Sequence, residues 1–228
     1  MEQQNLTNVA LIVAYPDEET LWAGGTIISN PGWQCDVVCL CKKNDRNRAS
    51  VFFEALTELG ANGFMGNLDD GPEQLPLQDS QLQQMIQQLM PDRKYDLIIT
   101  HNPDGEYASY HRHQEISRAV INLWAKGLIA AKQLWTFAYQ EGESGLSAEP
   151  RVDADRYHIL EQSVYERKYN IITQTYGFET GSREAQNIPE NEAFWHFQNP
   201  VKAMQWLVQG GRPRKPIQVP MIDTRAAI

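Results

Sequence analysis

The stretch VALIVAYPDEETLWAGG, from Val9 to Gly25, decides the fold of this chain. It begins as an apolar run rich in β-branched residues, which is typical of a buried strand. The run breaks at Tyr15, and three consecutive carboxylates from Asp17 to Glu19 precede a segment that ends in a glycine pair. A buried strand that passes into a helix with acidic first residues predicts the opening unit of an α/β sheet.

The same alternation continues along the chain. Strands are predicted at residues 8–15, 35–41, 62–68, 95–101 and 133–140, and helices at 20–29, 48–60, 79–90, 111–127 and over most of 154–178. Because the strands are continuous apolar runs, the pattern predicts a Rossmann-like α/β domain, with a parallel sheet and helices on both faces. We expect one domain over residues 1–209 and a Gly- and Pro-rich tail over 210–228, either wrapped on the surface or loose.

Length and charge restrict the class of protein. The 228 residues suit one large domain, and 29 acidic against 20 basic residues give a formal charge of −9, which argues against a nucleic-acid partner. No apolar run reaches the roughly 20 residues that span a bilayer, and the polar start has no signal-peptide pattern. We expect a cytoplasmic protein with a small-molecule substrate and no membrane partner, and a homo-oligomer remains open.

Three cysteines lie at positions 35, 39 and 41, in and just before the second predicted strand. A metal site of this kind needs further Cys or His residues in register, and none follow. We therefore expect buried or partly buried free thiols.

Polar side chains are concentrated after two of the predicted strands. YPDEE follows the first strand, and THNPDGEYASYHRH follows the fourth. In open α/β sheets, ligands bind outside the carboxyl ends of the strands, so these acids and histidines predict a site. For Glu19 alone, the helix N-terminus is the better explanation, since the helix dipole favours negative charge there.

The two segments resemble the paired motifs of the PIG-L/LmbE-like N-deacetylase family. AYPDEETLWAGGT resembles that family's AHPDDE…GAGGT element, and THNPDGEYASYHRH resembles its Thr-His strand end, NPxGEY turn and H-x-x-H pair. RASVFFEALTELGA, NLDDG and YERKYNIITQTYGF resemble further elements, so the similarity runs in order over residues 8–178. It implies the same fold and hydrolysis of a small-molecule C–N bond of the amide, N-acetyl type.

In these deacetylases, the histidine and second aspartate of HPDD and the last histidine of H-x-x-H bind zinc. The matching positions here are Tyr15, Glu18 and His113. The family's general base is the first aspartate, which matches Asp17, and its assisting histidine matches Tyr110. The chain therefore departs from the family at three of these five positions.

The departures change the expected metal chemistry. A phenol has a reference pKa of about 10, so Tyr15 binds a metal only after losing its proton. The resemblance thus implies Zn²⁺, with binding expected to be weak or absent. His101 or His111 are alternative donors. On a helix, His111 and His113 point about 200° apart, and the apolar pattern directs His113 inward.

Four residues are predicted to contact substrate around this centre: Arg48, Asp70, His101 and His111. Arg48 has a second interpretation as a solvated helix residue, and Asp70 as the cap of a loop. Trp22, Trp124 and Trp135 lie on apolar faces and are predicted to be core residues. Trp195 either lines a pocket or anchors the C-terminal segment.

Two functions of different classes remain. The first is a C–N hydrolase of the deacetylase kind, or a repurposed relative, with Asp17 as the acid/base, Tyr110 as a second catalytic group and a remodelled, weakened metal centre. The alternative is a non-catalytic ligand-binding or regulatory protein on the same scaffold. A dinucleotide-binding oxidoreductase is disfavoured, because the turn after the first strand lacks G-x-G-x-x-G and carries acids instead.

Overall fold

The computed structural model describes residues 6–71, 73, 75–108, 110–142 and 147–211. The strands within these ranges are β1 (Thr7–Val13), β2 (Trp33–Cys39), β3 (Asn62–Met65), β4 (Tyr95–Thr100), β5 (Ala131–Phe137), β6 (Tyr139–Glu141), β7 (Ala148–Pro150), β8 (Arg156–Ile159) and β9 (Asn191–Phe197). The helices are α1 (Glu18–Ser29), α2 (Arg46–Leu59), α3 (Asp79–Leu89), α4 (His111–Ala125), α5 (Gln162–Asn170), α6 (Arg183–Gln186) and α7 (Pro200–Val208), with a π-helical segment (Ile171–Thr175) directly after α5.

Seven of the strands form one sheet in the order β3-β2-β1-β4-β5-β9-β8, and β6 and β7 form a separate two-stranded ribbon. The first five strands of the large sheet are parallel, as the apolar runs predict. This confirms the expected single-domain α/β fold.

Helices cover both faces of the sheet. Residues from α1, α2 and the π-helical segment pack against one face, where Leu11 is buried. Residues from α3, α4 and α7 pack against the other, where the next residue, Ile12, is buried. This alternation follows from the two-residue period of a strand, which sends successive side chains to opposite faces.

The strand order places the carboxyl ends of β1 and β4 side by side. The two strands are paired in parallel, with Ile12 opposite Thr100. From β1 the chain passes through α1 to β2 on one side, while β4 lies on the other side. This reversal of strand order is where open α/β sheets form their ligand crevice.

The far edge of the sheet differs from the prediction. Strand β9 pairs antiparallel with β5, and β8 pairs antiparallel with β9. The helix expected over most of 154–178 begins only at Gln162, because residues 156–159 join the edge of the sheet. Pairing with β9, which is distant in sequence, decides the structure of β8.

The predicted core residues are buried. Trp22, Trp124 and Trp135 are all in the core, and the ring of Trp195 packs against that of Trp206 in α7 with centroids 5.2 Å apart. Trp195 therefore anchors α7, the last helix of the described residues.

The three cysteines are buried free thiols, as expected. Burial raises the pKa of the Cys35 thiol to about 12. No helix in the described part of the chain has the length and apolar character needed to cross a membrane. Most of the predicted tail, residues 212–228, lies outside the described residues, so that prediction stays untested.

Candidate functional site

The loop after β1 turns sharply into α1 at Asp17. This residue has a φ of 98°, a left-handed backbone conformation that non-glycine residues adopt only where the surrounding structure holds it. Its backbone N–H donates to Oε2 of Glu19 at 3.1 Å. The buried Glu19 carboxyl also accepts from the hydroxyls of Thr20 at 2.6 Å and Tyr176 at 2.7 Å. Burial raises the pKa of Glu19. Glu19 therefore holds the turn that presents Asp17.

Glu18 points back over the end of β1. Its Oε2 accepts from the backbone N–H groups of Ala14 at 3.0 Å and Tyr15 at 2.9 Å. Its Oε1 lies 2.6 Å from Nε2 of His113, the inward-facing histidine of α4. Burial alone would raise the pKa of Glu18, but His113 and His101 outweigh it and hold that pKa well below its usual range. The ends of β1 and β4 thus share one buried ionic cluster.

Glu106 completes this cluster from the turn after β4. One carboxylate oxygen lies 3.1 Å from Nδ1 of His101 and accepts from the backbone N–H of Asn102 at 2.7 Å. The other oxygen forms a short hydrogen bond with Nδ1 of His113. Like Asp17, Glu106 has a left-handed backbone, with φ of 61°. One carboxylate therefore orients both imidazoles.

The charges of the cluster shift its proton affinities. Burial raises the pKa of Glu106, but the two neighbouring histidines outweigh burial and lower it to about 2. Burial lowers the pKa of His113, but the carboxylates of Glu18 and Glu106 raise it to about 10. The sequence prediction does not include Glu106, the second of the two acids in the NPDGEY turn. The signal was a carboxylate placed between two histidines of the same segment.

Three members of the cluster could hold a metal ion. Glu18, His101 and His113 each offer one ligand atom, and these atoms all lie within 4.8 Å of one another. All three residues are buried. Carboxylate oxygens and imidazole nitrogens are suitable donors for zinc, and a carboxylate on the far ring nitrogen is the usual outer support of a histidine ligand. The donor set therefore fits a metal of this class.

The two imidazole rings are stacked, with centroids 3.9 Å apart and an interplanar angle of 18°. Both Nδ1 atoms lie against Glu106, and both Nε2 atoms lie against Glu18, that of His101 at 3.2 Å from Oε2. His101, which sequence reasoning placed among the substrate contacts, is thus fully buried inside the cluster.

The tyrosines at the departed positions lie beside the cluster. The ring centroid of Tyr15 is 6.4 Å from that of His113, and the centroid of Tyr110 is 4.8 Å from it. Tyr110 is the N-cap residue of α4, and its hydroxyl lies 2.9 Å from the hydroxyl of Tyr107. Tyr110 is 40% exposed, so its ring borders the cluster on the solvent side.

Arg48 contacts the predicted acid/base directly. Its guanidinium donates to Oδ1 of Asp17 at 3.2 Å and to the carbonyl of Pro16 at 3.0 Å. The group also lies 5.9 Å from the ring centroid of Phe178. Arg48 therefore reaches the site, where it fixes the side chain of Asp17.

The remaining two predicted contacts are His111 and Asp70. His111 is exposed at the start of α4. Asp70 forms an ion pair with Lys42. The alternative prediction for Asp70 is a cap of the loop around Gly71. The neighbouring residue Asp69 forms this cap, since its Oδ1 accepts from the N–H of Gly71 at 3.1 Å.

Comparison of the sequence with known proteins gives a partial match. No protein-family model matches the chain. An uncharacterized protein of Acanthamoeba polyphaga mimivirus is 25% identical over 145 residues, which cover 57% of this chain and 60% of that protein. The match therefore spans less than two thirds of that relative.

Solved structures align over most of the chain. The N,N'-diacetylchitobiose deacetylase of Pyrococcus horikoshii aligns with a TM-score of 0.62 and 14% identity, covering 86% of this chain and 85% of that one. A zinc-inhibited form of teicoplanin deacetylase aligns with a TM-score of 0.59 and 10% identity, covering 78% and 88%. The chain shares the deacetylase fold.

A structure with another activity aligns equally well. The 4-carboxy-2-hydroxymuconate hydratase of Pseudomonas putida gives a TM-score of 0.58 and 17% identity, covering 83% of this chain and 95% of that one. Since deacetylases and a hydratase share this fold, the reaction has to be argued from the site.

Proposed function

We propose that the protein is a hydrolase of a small-molecule C–N bond of the amide, N-acetyl type, with Asp17 as its acid/base. The supporting observation is the position of Asp17 on the turn beside the Glu18–His113 pair, held there by Arg48. A carboxylate fixed next to a buried imidazole cluster is suited to proton transfer during attack of water on a carbonyl.

In the proposed reaction, Asp17 takes a proton from the attacking water as the new C–O bond forms. It returns the proton to the nitrogen as the C–N bond breaks, which releases a carboxylic acid and an amine; the acid then passes its remaining proton to the amine or to solvent. Arg48 keeps the Asp17 oxygen in place through its bonds to Oδ1 and to the carbonyl of Pro16. Glu19 supports the left-handed turn on which Asp17 lies.

Tyr110 is proposed to stabilise the negative charge that develops on the substrate carbonyl oxygen, or to assist the leaving amine. The Tyr110 hydroxyl, which is hydrogen-bonded to that of Tyr107, can donate a hydrogen bond to the polarised carbonyl oxygen or to the leaving nitrogen. Its position beside His113 fits this role.

The cluster would hold the metal that the fold family implies. Glu18, His101 and His113 are the residues that would bind it, and Glu106 would orient the two imidazoles. When bound, such an ion lowers the pKa of a water and polarises the substrate carbonyl. We propose that the affinity is weakened, because Glu18 and His113 already form a direct ionic contact that the ion has to separate.

That contact also supports a second candidate function. If the Glu18–His113 pair stays closed, the scaffold binds a ligand without turnover and acts as a ligand-binding or regulatory protein. The departures at Tyr15 and Tyr110 favour this candidate as much as they favour altered catalysis.

The two functions separate in an amine-release assay. The full chain is incubated with N-acetylated amino sugars and N-acetyl amino acids, once with a chelator and once with added Zn²⁺, and free amine is measured. We expect release from at least one N-acetyl compound. Binding of such a compound in calorimetry, without amine release under either condition, would support the binding protein and contradict the hydrolase.

A further inference from the structure

We propose that His101, rather than Tyr15, is the third protein ligand of a divalent transition-metal ion in this chain, together with Glu18 and His113. The inference deepens the proposed function and rests on it for the location of the site. It concerns metal binding alone, however, and so it can be tested without turnover.

The hydrogen bonds of the two imidazoles direct the same atom of each ring, Nε2, toward Glu18. Nδ1 of His101 and Nδ1 of His113 both lie against the carboxylate of Glu106. Since the far nitrogens are held in this way, the two Nε2 atoms face the oxygens of Glu18. Two imidazoles supported by a carboxylate and directed at a third donor match the usual construction of a histidine metal site.

The neighbouring strands explain why His101 reaches this position. Nε2 of His101 accepts from the backbone N–H of Ala14 at 3.0 Å, across the β1–β4 junction. This places the imidazole directly beside the residue that precedes Tyr15. His101, directly after β4, therefore lies next to position 15, where the resembled family has its first zinc-binding histidine.

Use of Nε2 by a metal leaves no buried polar group without a partner. The N–H of Ala14 that donates to His101 also donates to Oε2 of Glu18 at 3.0 Å. When Nε2 turns to the ion, this N–H keeps its second acceptor. A buried donor that lost its only acceptor would destabilise the metal-bound state, and this loss does not occur here.

Tyr15 is the weaker candidate for the third ligand. Its backbone N–H already bonds to Glu18, and its ring centroid lies 6.4 Å from that of His113, whereas the His101 ring lies 3.9 Å from it. Tyr15 is partly exposed and His101 is fully buried. A phenol also has to lose a proton of high pKa before it binds, and a neutral imidazole does not.

The experiment uses Co²⁺ as the probe, because its visible absorption reports the ligands that bind it. The full chain is stripped with a chelator and titrated with Co²⁺, and Zn²⁺ is then added in competition. The variants are Tyr15→Phe, His101→Asn and Glu106→Gln, with His111→Asn as a control that removes an exposed histidine from the same helix end. Far-UV circular dichroism of each metal-free variant reports its folding.

We expect saturable Co²⁺ binding with one ion per chain in the wild type, and unchanged affinity within about twofold in Tyr15→Phe and His111→Asn. His101→Asn should lose the visible spectrum, and Glu106→Gln should bind about 10- to 100-fold more weakly, as outer-shell changes do. The proposal is overturned if Tyr15→Phe loses the spectrum, or if the wild type binds no Co²⁺. If His101→Asn fails to fold, loss of the spectrum in Tyr15→Phe still overturns the proposal, and weaker binding in a folded Glu106→Gln still supports it.

The outcomes also separate this inference from the proposed function. One outcome is that the chain binds Co²⁺ through His101 and yet releases no amine from any N-acetyl compound. That result would support the metal site and contradict the proposed hydrolase. If the chain binds no Co²⁺ but still releases amine in the presence of a chelator, the metal site is contradicted and the proposed hydrolase is supported.

Discussion

The guanidinium of Arg48 is hydrogen-bonded to Oδ1 of Asp17, so the helix after β2 reaches across to the turn after β1. The two residues are 31 positions apart in sequence. The contact joins the first turn of α2 to the predicted acid/base, and it gives Arg48 a positioning role.

Loss of Arg48 should therefore impair turnover more than folding. Partly exposed ion pairs contribute up to about 1 kcal/mol, so Arg48→Ala should lower kcat for an accepted N-acetyl substrate about fivefold. Arg118→Ala, which breaks an exposed pair with Asp79, is the matched control and should have no effect. Equal losses in both variants would show that charge at the surface, and not the contact to Asp17, matters.

Three site positions differ from the motif of the resembled deacetylase family, and their effect can be tested by introducing the family's residues. We expect the combined changes Tyr15→His, Glu18→Asp and Tyr110→His to tighten Zn²⁺ binding by about tenfold or more, equivalent to about 1.4 kcal/mol, and to give amine release from N-acetylglucosamine. Calorimetry and the amine assay measure these results. Tyr157→His, on edge strand β8, is the control. A triple variant with neither gain would show that the pocket has been reshaped beyond these positions.

The buried ion pair of Lys168 and Glu192 contacts the backbone of α1. Nζ of Lys168 donates to Oε1 of Glu192 at 2.8 Å, and the Glu192 carboxylate also accepts from the backbone N–H groups of Gly25 and Thr26. Lys168→Met leaves this carboxylate buried without its counter-ion, and should cost about 3–5 kcal/mol in urea unfolding. The exposed pair Lys132–Asp96 supplies the control, since Lys132→Met should cost at most about 1 kcal/mol. Similar costs for both would remove the structural role of Lys168.

The second glycine of the quoted stretch is explained by close packing. A Cβ at Gly25 would lie 2.4 Å from Cδ1 of Leu160, so α1 passes this side chain without room for a methyl group. Because the contact is with the terminal atoms of a flexible, partly exposed side chain that can move aside, Gly25→Ala should destabilise the protein by up to about 1 kcal/mol, although alanine is the better helix former. Gly32→Ala meets no atom within 4 Å and should be tolerated. In a Leu160→Ala background, Gly25→Ala should lose most of its cost, and thermal unfolding that shows an undiminished cost would exclude this contact as the cause.

The parallel half of the sheet could be predicted because its strands carry a local signal. Apolar runs separated by amphipathic helices indicate parallel strands, and β1, β2 and β4 are buried on both faces as that pattern requires. The edge carries no such signal. Strand β8 is short and mostly exposed, and it becomes a strand only by pairing with β9, more than thirty residues later.

The site could be predicted in its location but only partly in its contacts. The ends of β1 and β4 meet because the strand order reverses there, so Glu18 and His113 come together as the motifs imply. The roles of Glu106 and His101 depend on hydrogen bonds between turns, and the spacing of residues in the sequence does not report these. The contact between Arg48 and Asp17 is likewise formed only by the folded chain.

The most direct measurement is the rate of amine release by Asp17→Asn at saturating substrate, compared with the wild type and with Asp79→Asn as an exposed control. The substitution keeps the shape of the side chain and removes its ability to take up a proton. Because a positioned acid/base contributes about 10²- to 10⁴-fold, we expect kcat to fall at least about 100-fold, with the melting temperature and the Asp79→Asn rate unchanged. Wild-type turnover by a folded Asp17→Asn protein would contradict the account.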